Sequence, residues 1–173
     1  ASQTANGGLT AMVPASELTD AGAFIVRVRL NNNTLTNPRA LALTSASNPQ
    51  NAATVDAASY SATVAPGQIV ALFGTDLISG SGIAIANSLP LPRSLQNVTV
   101  YVNGVAAPLY FTADSQINYQ VPYSANADNA SVVVLRDDGI ASYGSVNIAV
   151  AAPALFAADA SGKGQAADRK SVV

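Results

Sequence analysis

The residues of this chain that could do chemistry are oxygen donors, rings and amides. Asp137-Asp138-Gly139, with Asp128 and Asn129 one strand earlier, offers the hard oxygens that Ca²⁺ gathers six to eight at a time. The same residues are also ordinary turn formers, and a turn accounts for them without an ion. Asp159, Ser161, Gly162 and Gly164 share the composition of a phosphate loop, but Lys163 breaks the G-x-x-x-x-G-K-[ST] spacing, so the segment reads as a linker. Tyr101 and Tyr110 carry flat amphipathic rings that could stack on sugar, with the amides of Asn97 and Asn103 nearby. Those four are the candidate ligand contacts; the plainer reading of the tyrosines is that they cover the flank of a sheet.

The residue types that are missing remove more chemistry than the present ones supply. With Cys 0 and His 0 there is no Ser-His-Asp or Cys-His nucleophile, no usual zinc ligand set and no disulfide. Paired carboxylates for glycoside hydrolysis must face each other across a cleft, about 5 to 10 Å apart. Here Asp20, Asp76, Asp114, Asp128, Asp137, Asp138 and Asp159 fall in turns and linkers. The expectation is a protein that is not an enzyme, with no catalytic residue, no cofactor and no metal site.

Composition points to β-structure outside the cell. The chain has 173 residues, 49% apolar and 10% charged, against the roughly 25% charged usual in soluble domains. Its polar surface must therefore come from Ser, Thr, Asn, Gln and backbone. A formal net charge of −2, with basic residues scattered, gives no stripe to neutralise phosphates, so nucleic acid is not an expected partner. No apolar run approaches the roughly 20 residues of a membrane span. No signal peptide stands at Ala1, and secretion would need a leader upstream.

Positioning falls to strands, because period-two alternation dominates. Val98, Val100 and Val102 alternate with Thr99 and Tyr101, and Asn103-Gly104 then marks a type I′ hairpin, since both central residues need positive φ. That turn sets Val102 opposite Val105, Tyr101 opposite Ala106, Val100 opposite Ala107 and Val98 opposite Leu109. The two tyrosines then share one face, about 13 Å apart, and Pro108, lacking a donor, suits a sheet edge. Ile69 to Phe73, opened by the turn pair Pro66-Gly67, reads as a central strand with both ends in the core. Further strands are expected at Tyr60 to Val64, Gln116 to Val121, Ser131 to Arg136 and Ser142 to Val150. Seven strands in roughly 100 residues predict an immunoglobulin-like sandwich.

An internal repeat accounts for the first part of the chain. Leu9 to Pro14 lies over Ile117 to Pro122, 108 residues on, and Phe24 to Val28 falls on Val132 to Arg136. The domain plan is then a C-terminal half of one β-sandwich at 1–46, a linker at 47–54 drawn from the polar, Pro-containing stretch Ser45 to Ala53, a complete sandwich at 55–150, and a linker at 151–167 leading to another module. The half-domain exposes Phe24, Val26, Val28, Leu41 and Leu43, and is expected to fray or to pair its open edge with another chain. The ending at 168–173, Asp168-Arg169-Lys170-Ser171-Val172-Val173, can be encoded as GAT CGG AAG AGC GTC GTG. It reads as a translated sequencing adapter appended to an environmental open reading frame.

Four ordered motifs carry a family resemblance. Val55 to Tyr60, Ala65 to Leu77, Val102 to Leu109 and Gln116 to Tyr123 make the chain similar to an uncharacterised immunoglobulin-like C-terminal domain family of secreted and surface proteins from Acidobacteria, Solibacter among them. Asp56 stands where Asn is common there, and Asp114-Ser115 where Pro-Gly is often seen. The resemblance implies fold and an extracellular or cell-surface location, and brings no catalytic set with it. The functional expectation is a structural or adhesive module in a row of similar domains, its partners being neighbouring domains of the same chain and a surface protein or polysaccharide. The alternative is a carbohydrate-binding module using Tyr101, Tyr110, Asn97 and Asn103.

Overall fold

A computed structural model of the chain describes residues 2–3, 9–20, 22–36, 38–43 and 50–167. The expected adapter at 168–173 and part of the expected linker lie outside the described residues. Two short hairpins come first: β1 (Ser2–Gln3) with β2 (Leu9–Thr10), and β3 (Gly22–Val26) with β4 (Arg39–Leu43). The chain then continues through β5 (Gln50–Asn51), β6 (Ala53–Asp56), β7 (Thr63–Val64), β8 (Ile69–Phe73), β9 (Ile83–Ile85), β10 (Val98–Val102) and β11 (Val105–Ala106). It closes with β12 (Leu109–Ala113), β13 (Gln116–Gln120), β14 (Asp128–Arg136) and β15 (Ala141–Ile148). Among the described residues the structure is all-β, with a single 3-10 turn at Ala15–Glu17.

Two sheets share one core. The first runs β11-β10-β14-β15-β5, with β7 also paired to β15, and the second runs β6-β8-β13-β12-β9. Alternation builds the contact between them: in β10, Val98, Val100 and Val102 are buried while Thr99 and Tyr101 are not. Those valines, with Val132 and Val134 of β14, pack against Val70 and Leu72 of β8 and Ile117 and Tyr119 of β13. The turns form where positive φ was required: Asn103 and Gly104 at 47° and 78°, and Gly67 at 80°. The first two hairpin pairs, Val102 with Val105 and Tyr101 with Ala106, stand as expected.

The structure departs from several expectations. The hairpin does not run on to Leu109: after Ala107 the chain crosses at Pro108 into the other sheet, and Leu109 pairs with Tyr119. Pro108 has no N–H to keep a ladder going, so it marks the switch between sheets rather than an edge. Phe73 is not core. Alternation in β8 sends Val70 and Leu72 inward and turns Ile69 and Phe73 to the outer face, leaving Phe73 38% exposed.

The polar segment expected as a linker at 47–54 enters the sheets from Gln50 on, because Ser142 and Tyr143 pair with Gln50 and Asn51. The expected linker at 151–167 closes on itself: Ala158 N–H donates to Gln165 O (2.7 Å) and Ala167 N–H to Phe156 O (2.7 Å). Nor is the β3–β4 hairpin left wholly apart. Its Ala40 N–H donates to Ser131 Oγ (2.8 Å) and Arg39 pairs with Asp128 (3.0 Å), so β4 lies against the outer face of β14.

The different depths of Leu72 and Phe73 set an expected contrast. Leu72→Ala should cost about 2 to 5 kcal/mol in denaturant unfolding, and Phe73→Ala, which loses only partial burial, about 1 to 2 kcal/mol. Equal losses would return Phe73 to the core.

Candidate functional site

The four expected ligand contacts are not brought together. Tyr101 stands on the outer face of the first sheet and Tyr110 in β12 of the second, so the core lies between them. Their expected common face depended on the hairpin that Pro108 ends. Asn97 and Asn103 flank opposite ends of β10, about 20 Å apart at the usual rise per residue. Asn103 is buried and occupied: its Oδ1 accepts from Ser131 N–H (2.8 Å), Ser131 Oγ (3.1 Å) and Arg39 Nη1 (3.4 Å).

The oxygen donors considered for Ca²⁺ are also divided. Asp128 opens β14 and Asp138 lies past its far end, about 27 Å or more along the strand. Each serves a local bond. The Asn129 N–H, and then Arg39, hold the Asp128 carboxyl below the usual carboxylate range. Burial pushes Asp138 up, yet the Arg136 guanidinium and the Ile140 N–H outweigh it and leave Asp138 low. The Asp159 carboxyl accepts from Ser161 (3.0 Å from its N–H) and is held low by it; its loop is a turn closed by its own side chain.

What the fold does assemble is a braced carboxylate and an open trough. Asp56, at the end of β6, is buried, and its Oδ1 accepts from the N–H groups of Ala58 (3.0 Å) and Ser59 (2.6 Å) and the Ser59 hydroxyl (2.8 Å). Its Oδ2 accepts from Gln68 Nε2, which also donates to Ala152 O (3.0 Å), while Gln68 Oε1 accepts from Ala65 N–H (2.7 Å). Four donors occupy this carboxylate, and through Gln68 they tie the outgoing chain at Ala152 to the 57–60 turn. An Asp three residues before a Ser is an N-cap-like pattern legible in sequence; its partnership with Gln68, twelve residues on, is not.

The trough crosses the junction of β12 and β13. A cavity of about 440 Å³ is lined by Leu89, Leu91, Arg93, Pro108, Tyr110 and Gln120, and a second of about 260 Å³ shares Arg93, Pro108 and Gln120 with it and adds Tyr123. Arg93 Nη1 donates to Ala106 O, and Gln120 Nε2 donates to Gly67 O (2.9 Å) and lies 3.4 Å from the Tyr123 hydroxyl. The rings of Tyr110 and Tyr123 and the amide and guanidinium groups of Gln120 and Arg93 make it a surface suited to stacking and hydrogen bonding. Deeper in the core, the Tyr119 hydroxyl meets Thr54 Oγ1 at 3.2 Å, and burial pushes its phenol far above the usual tyrosine range.

Comparison with known proteins finds no matching family profile, no matching curated protein and no matching solved structure.

Two buried polar groups generate expectations. Asp56→Ala, which strands several donors, should lower stability by about 3 kcal/mol or more, and Asp56→Asn, which keeps one acceptor, by clearly less; chemical denaturation of both variants measures the difference. Because the folded Tyr119 pKa lies above the unfolded one, its contribution is complete below about pH 10 and falls above it, by about 1.4 kcal/mol per pH unit. Unfolding free energies followed from pH 9 to 12 should show that slope, and Tyr119→Phe should flatten it. An unchanged slope would contradict the burial of Tyr119.

Proposed function

We propose that this chain is a non-catalytic structural and adhesive module of a large secreted or cell-surface bacterial protein. Its sandwich is immunoglobulin-like, and it stands in a row of similar units. The strand order supports the first part. With β6, β8, β10, β12, β13, β14 and β15 as strands A to G, one sheet carries A-B-E-D and the other C-F-G, the order of that fold. The family resemblance of the four motifs supports the extracellular setting.

The observation that carries the structural role is the pairing of β15. The incoming chain pairs parallel with its beginning, Gln50 beside Ser142, and β7 pairs parallel with its end, Val64 beside Ile148. The chain therefore enters at one end of β15 and leaves at the other. Tension between entry and exit loads these parallel ladders along the strand direction, so their hydrogen bonds resist together instead of opening one by one. That suits a spacer that transmits force between neighbours.

A second reading, carbohydrate binding, is favoured only by the trough, where Tyr110 and Tyr123 flank Gln120 and Arg93. Saturable glycan binding abolished by Tyr110→Ala and untouched by Tyr101→Ala would support it.

Single-molecule pulling tests the main reading, helped by a chain with Cys 0. Handles at Asn51→Cys and Val150→Cys load the parallel ladders in shear. Handles at Ala127→Cys and Val150→Cys instead peel β14 from β15, since Asp128 pairs with Ile148. The expected unfolding force is several times higher in the first geometry, and equal forces would overturn the proposal.

A further inference from the structure

The two leading hairpins follow the pairing plan of the last four strands. Moved 108 residues on, Ser2 with Thr10 falls on positions 110 and 118, and Gln3 with Leu9 on 111 and 117. The observed pairs there are Phe111 with Asn118 and Thr112 with Ile117, one residue away, at the bulge after Leu109. By the same shift Phe24 and Val26 of β3 fall on Val132 and Val134 of β14. Side-chain parity is kept across the hairpin: Gly22 faces Leu43 as Ala130 faces Val146, and Phe24 faces Leu41 as Val132 faces Gly144. Only the connection differs, with twelve residues between Val26 and Arg39 against seven between Val134 and Ser142.

The two copies differ in what lies beside them. β14 is held on one side by β15 and on the other by β10, which sets Val100 against Val134 and Val102 against Val132. Among the described residues β3 pairs with β4 alone. The consequence is exposure: Val132 and Val134 are 1% accessible, whereas Phe24, Val26 and Leu41 are 38%, 49% and 47% accessible. Arg39, opposite Val26, reaches Asp128 and Asn103, yet the apolar side chains beside it stay about half exposed.

We infer that β1–β4 is the acceptor half of a second sandwich, and that its partner is a polypeptide segment built like residues 50–108 of this chain, docking by strand addition. This rests on the tandem reading above and specifies its interface. The β10-like strand of the partner lies on the free edge of β3, its counterpart of Val100 opposite Val26 and its counterpart of Val102 opposite Phe24. The counterparts of Val70 and Leu72 cover the apolar face. The template for this occupant is the chain's own β10–β14 ladder, whose alternating valines match β3 in spacing and parity.

The test is a duplication. A copy of residues 50–108 is joined ahead of Ala1 in the full chain, which keeps the 108-residue register, and hydrogen exchange is compared with that of the unmodified chain. The amides of Phe24 to Val28 should slow at least a hundredfold, and a second cooperative unfolding transition should appear. Val100→Asp with Val102→Asp in the added copy alone should abolish both gains. The amides of Val132 to Val134 report separately on the downstream sandwich, so loss of the tandem spacer reading and loss of this interface are distinguishable.

Light scattering on the unmodified chain identifies the source of the partner. A monomer that gains protection only on duplication is expected, because residues 50–108 of a second copy are already paired within its own sandwich; a dimer of the unmodified chain with protected Val26 would overturn the inference. Exchange at Phe24 to Val28 as fast in the duplicated chain as in the original, with Val132 to Val134 still protected, would overturn the inference.

Discussion

The sandwich depends on β15. Along Ala141–Ile148 it pairs with β14 over eight residues, accepts β5 at its start and β7 at its end, and so joins the first strands of the unit to the last. One atom-scale constraint makes this possible. A Cβ built on Gly144 would stand 1.9 Å from the carbonyl oxygen of Ala52, a distance no side chain tolerates. Only glycine lets the incoming chain lie there, and the Ala52 N–H then donates to Tyr143 O at 3.0 Å. Without that approach β6 would lose its anchor, and with it the carboxylate brace at Asp56 and the Thr54 hydroxyl that meets Tyr119.

Closure of this kind explains how polar groups survive in an interior with so few charges. Asp56 is satisfied by backbone, hydroxyl and amide donors rather than by a cation, and Asn103 by Ser131 and Arg39. A chain with 10% charged residues cannot rely on ion pairs, and the two pairs between described side chains, Arg39 with Asp128 and Arg136 with Asp138, sit at the margins of the sheets. Both fasten peripheral segments: the first holds the leading hairpin, the second the β14–β15 turn.

Much of this was legible in the residues, where the signal is local. Asn103-Gly104 and Pro66-Gly67 announce turns because their φ values are accessible to few residues, and the valines of β10 announce a core face because alternation is a property of five neighbouring positions. The legibility stops where a residue's role depends on a distant partner. Ile69 to Phe73 is apolar throughout, so its parity is invisible until Val70 is set against Tyr119. Pro108 looks like an edge residue within one hairpin and becomes a crossing only when Leu109 finds β13 in the other sheet. Tyr101 and Tyr110 share a face only if the hairpin runs on through Pro108, and nothing in the neighbourhood of Tyr123 shows that the chain brings it to Gln120. Gly144 sits in an ordinary strand by sequence, and its need for glycine comes from Ala52, ninety-two residues earlier.

Closure by β15 is tested most directly by hydrogen exchange at the two amides that bind the first strands to the last, Ala52 N–H to Tyr143 O and Ala149 N–H to Val64 O. If β15 locks entry and exit into one cooperative unit, both should exchange only through global unfolding, with the same free energy as Val134 at the centre of the sheet. Exchange at Ala52 or Ala149 as rapid as in an exposed loop, with Val134 still protected, would contradict the account.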